Sequence, residues 1–442
     1  MYKGHGRCSR DMWPLITAAA MACYSNDTVL EETTTENEYS TITCIRSHYS
    51  NSNSIKNLFN MTSLRVIETY AFYYGGSSTE STIDLTGAVA LTTVGTNAFD
   101  QFAGVVHMGN NPALETIGDH AFEAAPNPDS TIDLTDATNF NTVGDYAFGG
   151  DAFRYFKGTV RMANNPALET IGRQAFYYAS NPNSTIDLTD AIALKTVDDW
   201  AFKQFSGNVI MANNTALETI AESAFERLVI NSTIDLTDAT SLTSVGNSAF
   251  YGFKGEVHMG NNTALRTINV SAFSQADNPA SAIDLRGATS LTTVGRNAFN
   301  KFKGRVTMAD NPALDTINTM AFNGASIAST IDLTGATALT TVDTDAFRSF
   351  EGQVIMGDNP LLETIGQSAF YQADNNASVI DLTNAVELFT VGNSAFREFK
   401  GSVHMGDNPA LERIEHLAFY QADNPASVIN LTNAVALETI YK

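Results

Sequence analysis

The sequence predicts a β-rich solenoid: a curved array of about sixteen short parallel strands with turns and loops on its convex side. Three observations predict it. The first is a recurring Ala-Phe pair, whose Phe falls at Phe72, Phe99, Phe122, Phe148, Phe176, Phe202, Phe225, Phe250, Phe273, Phe299, Phe322, Phe347, Phe370, Phe396 and Phe419. From Phe176 the spacings run 26, 23, 25, 23, 26, 23, 25, 23, 26, 23, so the unit is a doublet of about 49 residues. Self-similarity at a fixed period sets the architecture before any local reading. The second is that each half of the doublet carries two apolar residues two positions apart, Ile83 and Leu85 or Val106 and Met108. That is strand alternation, with both side chains on one face. The third is that no half-repeat can bury its apolar side alone, whereas parallel stacking covers each with its neighbour.

Taken in order, residues 1–22 read as a secretory signal or, alternatively, as a disordered or mis-started N terminus. Lys3, Arg7 and Arg10 give a basic start, and Trp13 to Ala22 an apolar run ending in Ala20-Met21-Ala22, an A-x-A cleavage site. Cleavage there leaves Cys23 and Cys44 as the remaining thiols, able to form one disulfide in an N-terminal cap. Residues 23–55 are polar and irregular and form that leader or cap; the repeats run over 56–442. Asn26, Asn60, Asn183, Asn213, Asn231, Asn261, Asn269, Asn376 and Asn430 each open an N-x-[ST] glycosylation sequon.

Two half-repeats alternate through the array. One reads S-T-I-D-L-T-x-A-x-x-L-x-x-V-G-x-x-A-F, as over 81–99. The other reads G-x-V-x-M-x-N-N-P-A-L-E-T-I-G-x-x-A-F, as over 104–122. Asn-Asn-Pro breaks the strand and turns the chain, and Leu114, Ile117 and Phe122 form the other walls of the turn. Three residues past the ladder Phe, the first half places another aromatic (Phe102, Phe205, Phe253, Phe302, Phe350, Phe399). The second half places a small residue there (Ala125, Ala179, Ala276, Ala325, Ala373, Ala422). Large beside small is how layers interlock, which makes the doublet the repeating unit. The 28-residue step from Phe148 to Phe176 carries five extra residues near Gly149 to Phe153, an insertion suited to a surface loop. The chain stops in mid-turn at Leu437 to Lys442, so a C-terminally truncated array is expected.

At these residues the chain resembles the BspA-like branch of leucine-rich repeat proteins, whose turns carry a strand followed by L-x-x-I-G-x-x-A-F. Leu291 to Phe299 (LTTVGRNAF) and Leu362 to Phe370 (LETIGQSAF) fit residue for residue. The strict alternation of unlike halves and the Asn-Asn-Pro insertion depart from that pattern. The resemblance implies a leucine-rich repeat solenoid and a secreted or cell-surface adhesin or recognition module that binds a protein or glycan partner. It implies no chemistry, and the family motif carries no ligand residue.

Composition narrows the partners. The formal charge is −23 and the pI near 4.5. Such a surface repels phosphate backbones, so nucleic acid is not expected as a partner, and an anionic membrane face is equally unsuited. No stretch of 18 apolar residues marks a membrane span.

The strand face opposite the core is the expected contact surface. First-half strands expose Asp187, Asp235, Asp284, Asp332 and Asp381; second-half strands expose Arg161, His258 and Thr307 at the equivalent centre. Alternate-strand carboxylates stand roughly 10 Å apart, too far to share a proton or to act as a glycosidase pair. His107, His258 and His404 follow one another at intervals of roughly 29 Å and cannot share a metal. Calcium needs six to eight oxygens, and one carboxylate on every second strand falls short. No G-x-S-x-G, H-E-x-x-H or phosphate loop occurs. Neither an enzyme nor a cofactor is expected. The alternatives are the ectodomain of a larger receptor and, from another class, a parallel β-helix enzyme acting on polysaccharide.

Overall fold

The computed structural model describes Cys23, Leu30 and residues 36–47, 57–75, 81–109, 111–144, 156–228, 232–357, 359–406 and 408–441. The expected signal segment, Cys8, Phe148, the five-residue insertion, Asn26 and Asn231 lie outside the described residues. The rest is a parallel β-solenoid with one 3-10 turn, Glu36–Thr41.

Each coil supplies two strands. The expected one, such as Thr82–Asp84 or Val105–Met108, joins a wide sheet of 15 parallel strands running from Thr82–Asp84 to Val428–Ile429. The sequence reading missed the second. The Thr-Val or Thr-Ile before each Gly forms a two-residue strand, and these stack into a narrow parallel sheet of 17 strands from Cys44–Ile45 to Thr439–Ile440. In L-x-T-V-G the Leu and Val face inward, and two outward residues between them read as a turn in a period-2 search. Here a strand is defined by its neighbours in the stack, because two residues alone have too few hydrogen bonds to hold it.

The third wall is hydrogen-bonded too. The N–H groups of Asn97, Phe99 and Gln101 donate to the carbonyls of Asp119, Ala121 and Glu123 in the next coil, at 2.9, 2.7 and 2.6 Å. The same trio recurs at Gln174, Phe176 and Tyr178. In each described coil the residues two before and two after the Phe take positive φ, 53° at Asn97 and 54° at Gln101. That conformation costs non-Gly residues roughly 1–3 kcal/mol each. Here it points alternate N–H groups the same way along the stack, and the hydrogen bonds offset the cost.

The core is one continuous file under these three walls. Phe rings stack at 5.0 Å between Phe176 and Phe202 and 5.2 Å between Phe273 and Phe299, with interplanar angles of 3° and 2°. Phe102 meets Phe72 and Phe99 edge-on at 6.1 and 6.0 Å, and Ala125 is buried at the matching place one coil on. Phe156 fills the aromatic place beyond the insertion, 6.4 Å from Phe122.

Three residue types, two of them polar, hold the wide sheet. In the turn after each second-half strand the Asn three residues past the Met is buried, whether Asn or Asp precedes it: Asn311 Nδ2 donates to the carbonyls of Leu285 and Ala288 at 2.8 and 3.1 Å. From Ser130 to Ser378 the Ser that opens each first-half strand is buried, with its Oγ accepting from the preceding coil, as Ser329 does from Val306 N–H at 3.0 Å. The Gly opening each second-half strand lies against that turn: a Cβ on Gly304 would come within 2.6 Å of both the Ser281 carbonyl and the Phe302 ring.

At the N-terminal end, Leu30, Tyr39 and Ile42 are buried on the first coil. Cys23 and Cys44 are joined in a disulfide.

Candidate functional site

The wide sheet places its outward side chains by register. Asp84 pairs with His107, Asp187 with Ile210, Asp235 with His258, Asp284 with Thr307 and Asp332 with Ile355. Asp381 pairs with His404 and Asp133 with Arg161. The next step slips by two residues: His107 pairs with Thr131, and Arg161 with Thr185, rather than with the following Asp. The Asp residues therefore climb the face in steps of roughly 12 Å, each two residues further along its strand. They do not form the straight row that equal spacing implied. Asp133 instead lies beside Gly109 and Asp284 beside Gly260, where a Cβ would stand 3.6 and 3.9 Å from the Asp Cβ.

Each Asp also turns its own chain. Asp332 Oδ1 accepts from Thr334 N–H at 3.0 Å and Thr334 Oγ1 at 2.7 Å, and Asp187, Asp235 and Asp381 do the same with Thr189, Thr237 and Thr383. This Asx turn is what Asp offers at a strand end. Asn430 makes the same two bonds at the last such turn. At Asp284 the partner is Arg286, whose guanidinium hydrogen-bonds the carboxylate and holds its pKa below the usual range.

The central second-half residues differ in partner and exposure. Arg161 is exposed and Thr307 half-buried. His107 Nδ1 lies 2.9 Å from Thr131 Oγ1, and His258 Nε2 3.4 Å from Glu256 Oε2. The sequons at Asn60, Asn183, Asn213, Asn261, Asn376 and Asn430 are exposed, whereas Asn269 donates its amide to the Val245 carbonyl at 3.0 Å.

The only grouping near enough to hold a metal, among the described residues, is Cys23, Cys44 and Glu68. There the cysteines are bonded to each other, and Glu68 accepts from Cys23 N–H and Ser47 N–H, both at 2.8 Å.

Sequence reasoning missed two surface columns. The narrow sheet carries hydroxyls in register through Thr93, Thr116, Thr142, Thr170, Thr196 and Thr219 and on to Thr390, with Ser244 in place of one and Arg413 ending the run. On the Phe corner the residue after each Phe forms another column. Arg348 and Arg397 lie over the Tyr371 ring at 5.1 and 5.4 Å, and Arg397 also over Tyr420 at 5.4 Å. Farther toward the N terminus this column holds Asp100, whose pKa is pushed up to about 6, chiefly by burial and then by Glu123. Glu123 hydrogen-bonds His120 and raises the imidazole pKa. A constant offset from the Phe was the signal that could have exposed both columns.

A model of the BspA type leucine rich repeat region matches six overlapping stretches, 17–153, 147–254, 169–303, 218–353, 266–400 and 363–441. No curated protein matches the chain. Among solved structures, a leucine-rich repeat protein from Bacteroides ovatus ATCC 8483 is similar at 16% identity and TM-score 0.34, over 91% of this chain and 85% of that one. The pneumococcal vaccine antigen PcpA is similar at 13% and TM-score 0.26, over 85% and 74%. A leucine rich cell surface protein from Faecalibacterium prausnitzii A2-165 is similar at 16% and TM-score 0.26, over 79% and 83%.

Proposed function

The chain belongs to the BspA-type leucine-rich repeat family, and from that premise we propose that it is a noncatalytic recognition module, secreted or displayed at a cell surface, that binds a protein or glycan partner through its wide sheet. One observation carries this reading. The core, turn and hydroxyl positions repeat almost unchanged, while the centre of the second-half strands changes from coil to coil through His107, Arg161, Ile210, His258, Thr307 and Ile355. Packing does not require that variety, since these side chains face away from the core. Unlike side chains on a rigid, evenly spaced frame are what selective recognition uses, and the flanking carboxylates favour a partner with cationic or hydrogen-bond-donor groups.

The test combines a glycan and extracellular-matrix array, with and without calcium, with the triple variant Asp235→Asn, Asp284→Asn and Asp332→Asn. Asn430 already forms the same turn, so the variant should melt like wild type while its strongest array ligand binds at least tenfold more weakly. Unchanged binding by a folded triple variant would remove the wide sheet from the reading.

A further inference from the structure

Two open grooves lie on the corner beside the Phe column. One, of about 460 Å³, is lined in part by Arg227, Tyr251, Lys254 and Asp277. The other, of about 520 Å³, is lined in part by Glu351, Asp374, Lys400 and Asp423. Both are walled by the residue four positions after a ladder Phe. Over eight successive coils that position reads Lys254, Asp277, Lys303, Ser326, then Glu351, Asp374, Lys400, Asp423. The seven charged members are exposed. Lys254, Asp277, Lys303, Glu351 and Asp374 make no ion pair among the described residues, and Lys400 reaches Asp423 at 3.9 Å.

This order of charges complements its own reverse. Place a second copy end-for-end about a two-fold axis between the coils of Phe322 and Phe347. Lys254 then faces Asp423, Asp277 faces Lys400, Lys303 faces Asp374, and Ser326 faces Glu351. No like charges oppose. Moving the axis onto the Phe322 coil sets Lys254 against Lys400 and Asp277 against Asp374, so the match holds in one register and fails one coil away. The column two residues after each Phe fits the same register: Gln275 faces Glu398, Lys301 faces Gln372, and Gly252 leaves room opposite Gln421.

We propose that this corner is an interface for a second copy of the chain, docked antiparallel with the two-fold axis between the Phe322 and Phe347 coils. The contact is isologous, so each of its three ion pairs occurs twice. Coils about 4.8 Å apart give a footprint roughly 38 Å long. Exposed ion pairs are individually weak, and their strength here lies in fixing register and orientation. The remaining surface is strongly acidic, with a chain charge of −23, so two copies repel except where this column matches. The interface is on a different wall from the wide sheet and stands independently of the reading above.

Charge exchange on the full chain tests it by sedimentation at about 0.15 M salt, where the screening length is about 8 Å. One variant carries Lys254→Glu and Lys303→Glu; the other carries Asp374→Lys and Asp423→Lys. Wild type should form a dimer, each variant alone should dimerise at least tenfold more weakly, and their equimolar mixture should recover the wild-type dimer. A control with Arg266→Glu and Arg413→Glu, the same charge change on the narrow sheet, should dimerise within about twofold of wild type. The proposal is overturned by a wild type that stays monomeric, by a mixture that does not recover, or by a control that loses association equally. Monomeric wild type that binds an acidic polysaccharide through Lys254 and Lys303 would make the groove a polyanion site instead.

Discussion

The two sheets are built from the same coils, yet their outer faces differ. The narrow sheet holds an in-register column of Thr, with Ser244 as a near-equivalent, until Arg413. The wide sheet steps by two residues at every doublet and shows Asp, His, Arg, Ile and Thr at its centre. The difference teaches where constraint lies. A two-residue strand has no length to spare, so a β-branched residue that suits a half-buried pleat recurs at its outer position. A three- or four-residue strand is already fixed by its buried Ser, Asn and Gly, so its outer centre is released from folding duty.

Four variants would sharpen or break that comparison. The largest effect belongs to the core that both sheets share. Phe299, buried and stacked on Phe273 and Phe322, should lose roughly 3–5 kcal/mol on Phe299→Ala, measured by denaturant unfolding. A small loss would mean the coils do not depend on one continuous file. Next comes the wide sheet's own anchor. Asn311→Ala removes both bonds to Leu285 and Ala288 and leaves each carbonyl only its backbone donor, the N–H of Ala288 and of Leu291, for roughly 1–3 kcal/mol; a neutral result would free the wide sheet from its polar frame.

The third effect concerns the Phe corner and has the opposite sign. The Asp100 carboxyl, with its pKa about 6 in the folded chain against 3.8 as its ordinary value, binds its proton more tightly folded than unfolded. Stability therefore falls as pH rises from about 4 to about 6 and levels off above. Asp100→Asn should flatten that slope and raise stability at pH 7 by roughly 1–3 kcal/mol, read from unfolding curves at pH 4 and 7. An unaltered pH profile would rule out the buried carboxylate as its source. The smallest effect should come from the narrow sheet: Thr316→Val keeps the branch and loses only a half-buried hydroxyl, for about 0.5 kcal/mol or less. A larger loss would show that the hydroxyl column carries load that shape alone does not supply.

Much of this was legible in the residues. The Phe period, the doublet and the large-small alternation gave the solenoid and its interlocking core, because identical positions in a stack must meet. The family resemblance rested on the same residues. The narrow sheet was not legible, since a strand of two residues has no period to detect. Nor was the turn-forming role of Asp332 and its equivalents: the exposed position was readable, but the bond to the hydroxyl two residues on is a matter of local backbone geometry.

By itself the sequence determined that the chain is a one-dimensional stack, and which side chains lie inside it, because apolar spacing repeated at a constant period permits no other burial. Only the tertiary structure decided how one coil sits on the next. The two-residue slip across the wide sheet, the absence of slip across the narrow one, and the forward-pointing N–H groups of the Phe corner depend on hydrogen bonds between residues more than twenty positions apart. No local pattern encodes those offsets, and they determine which surface residues become neighbours.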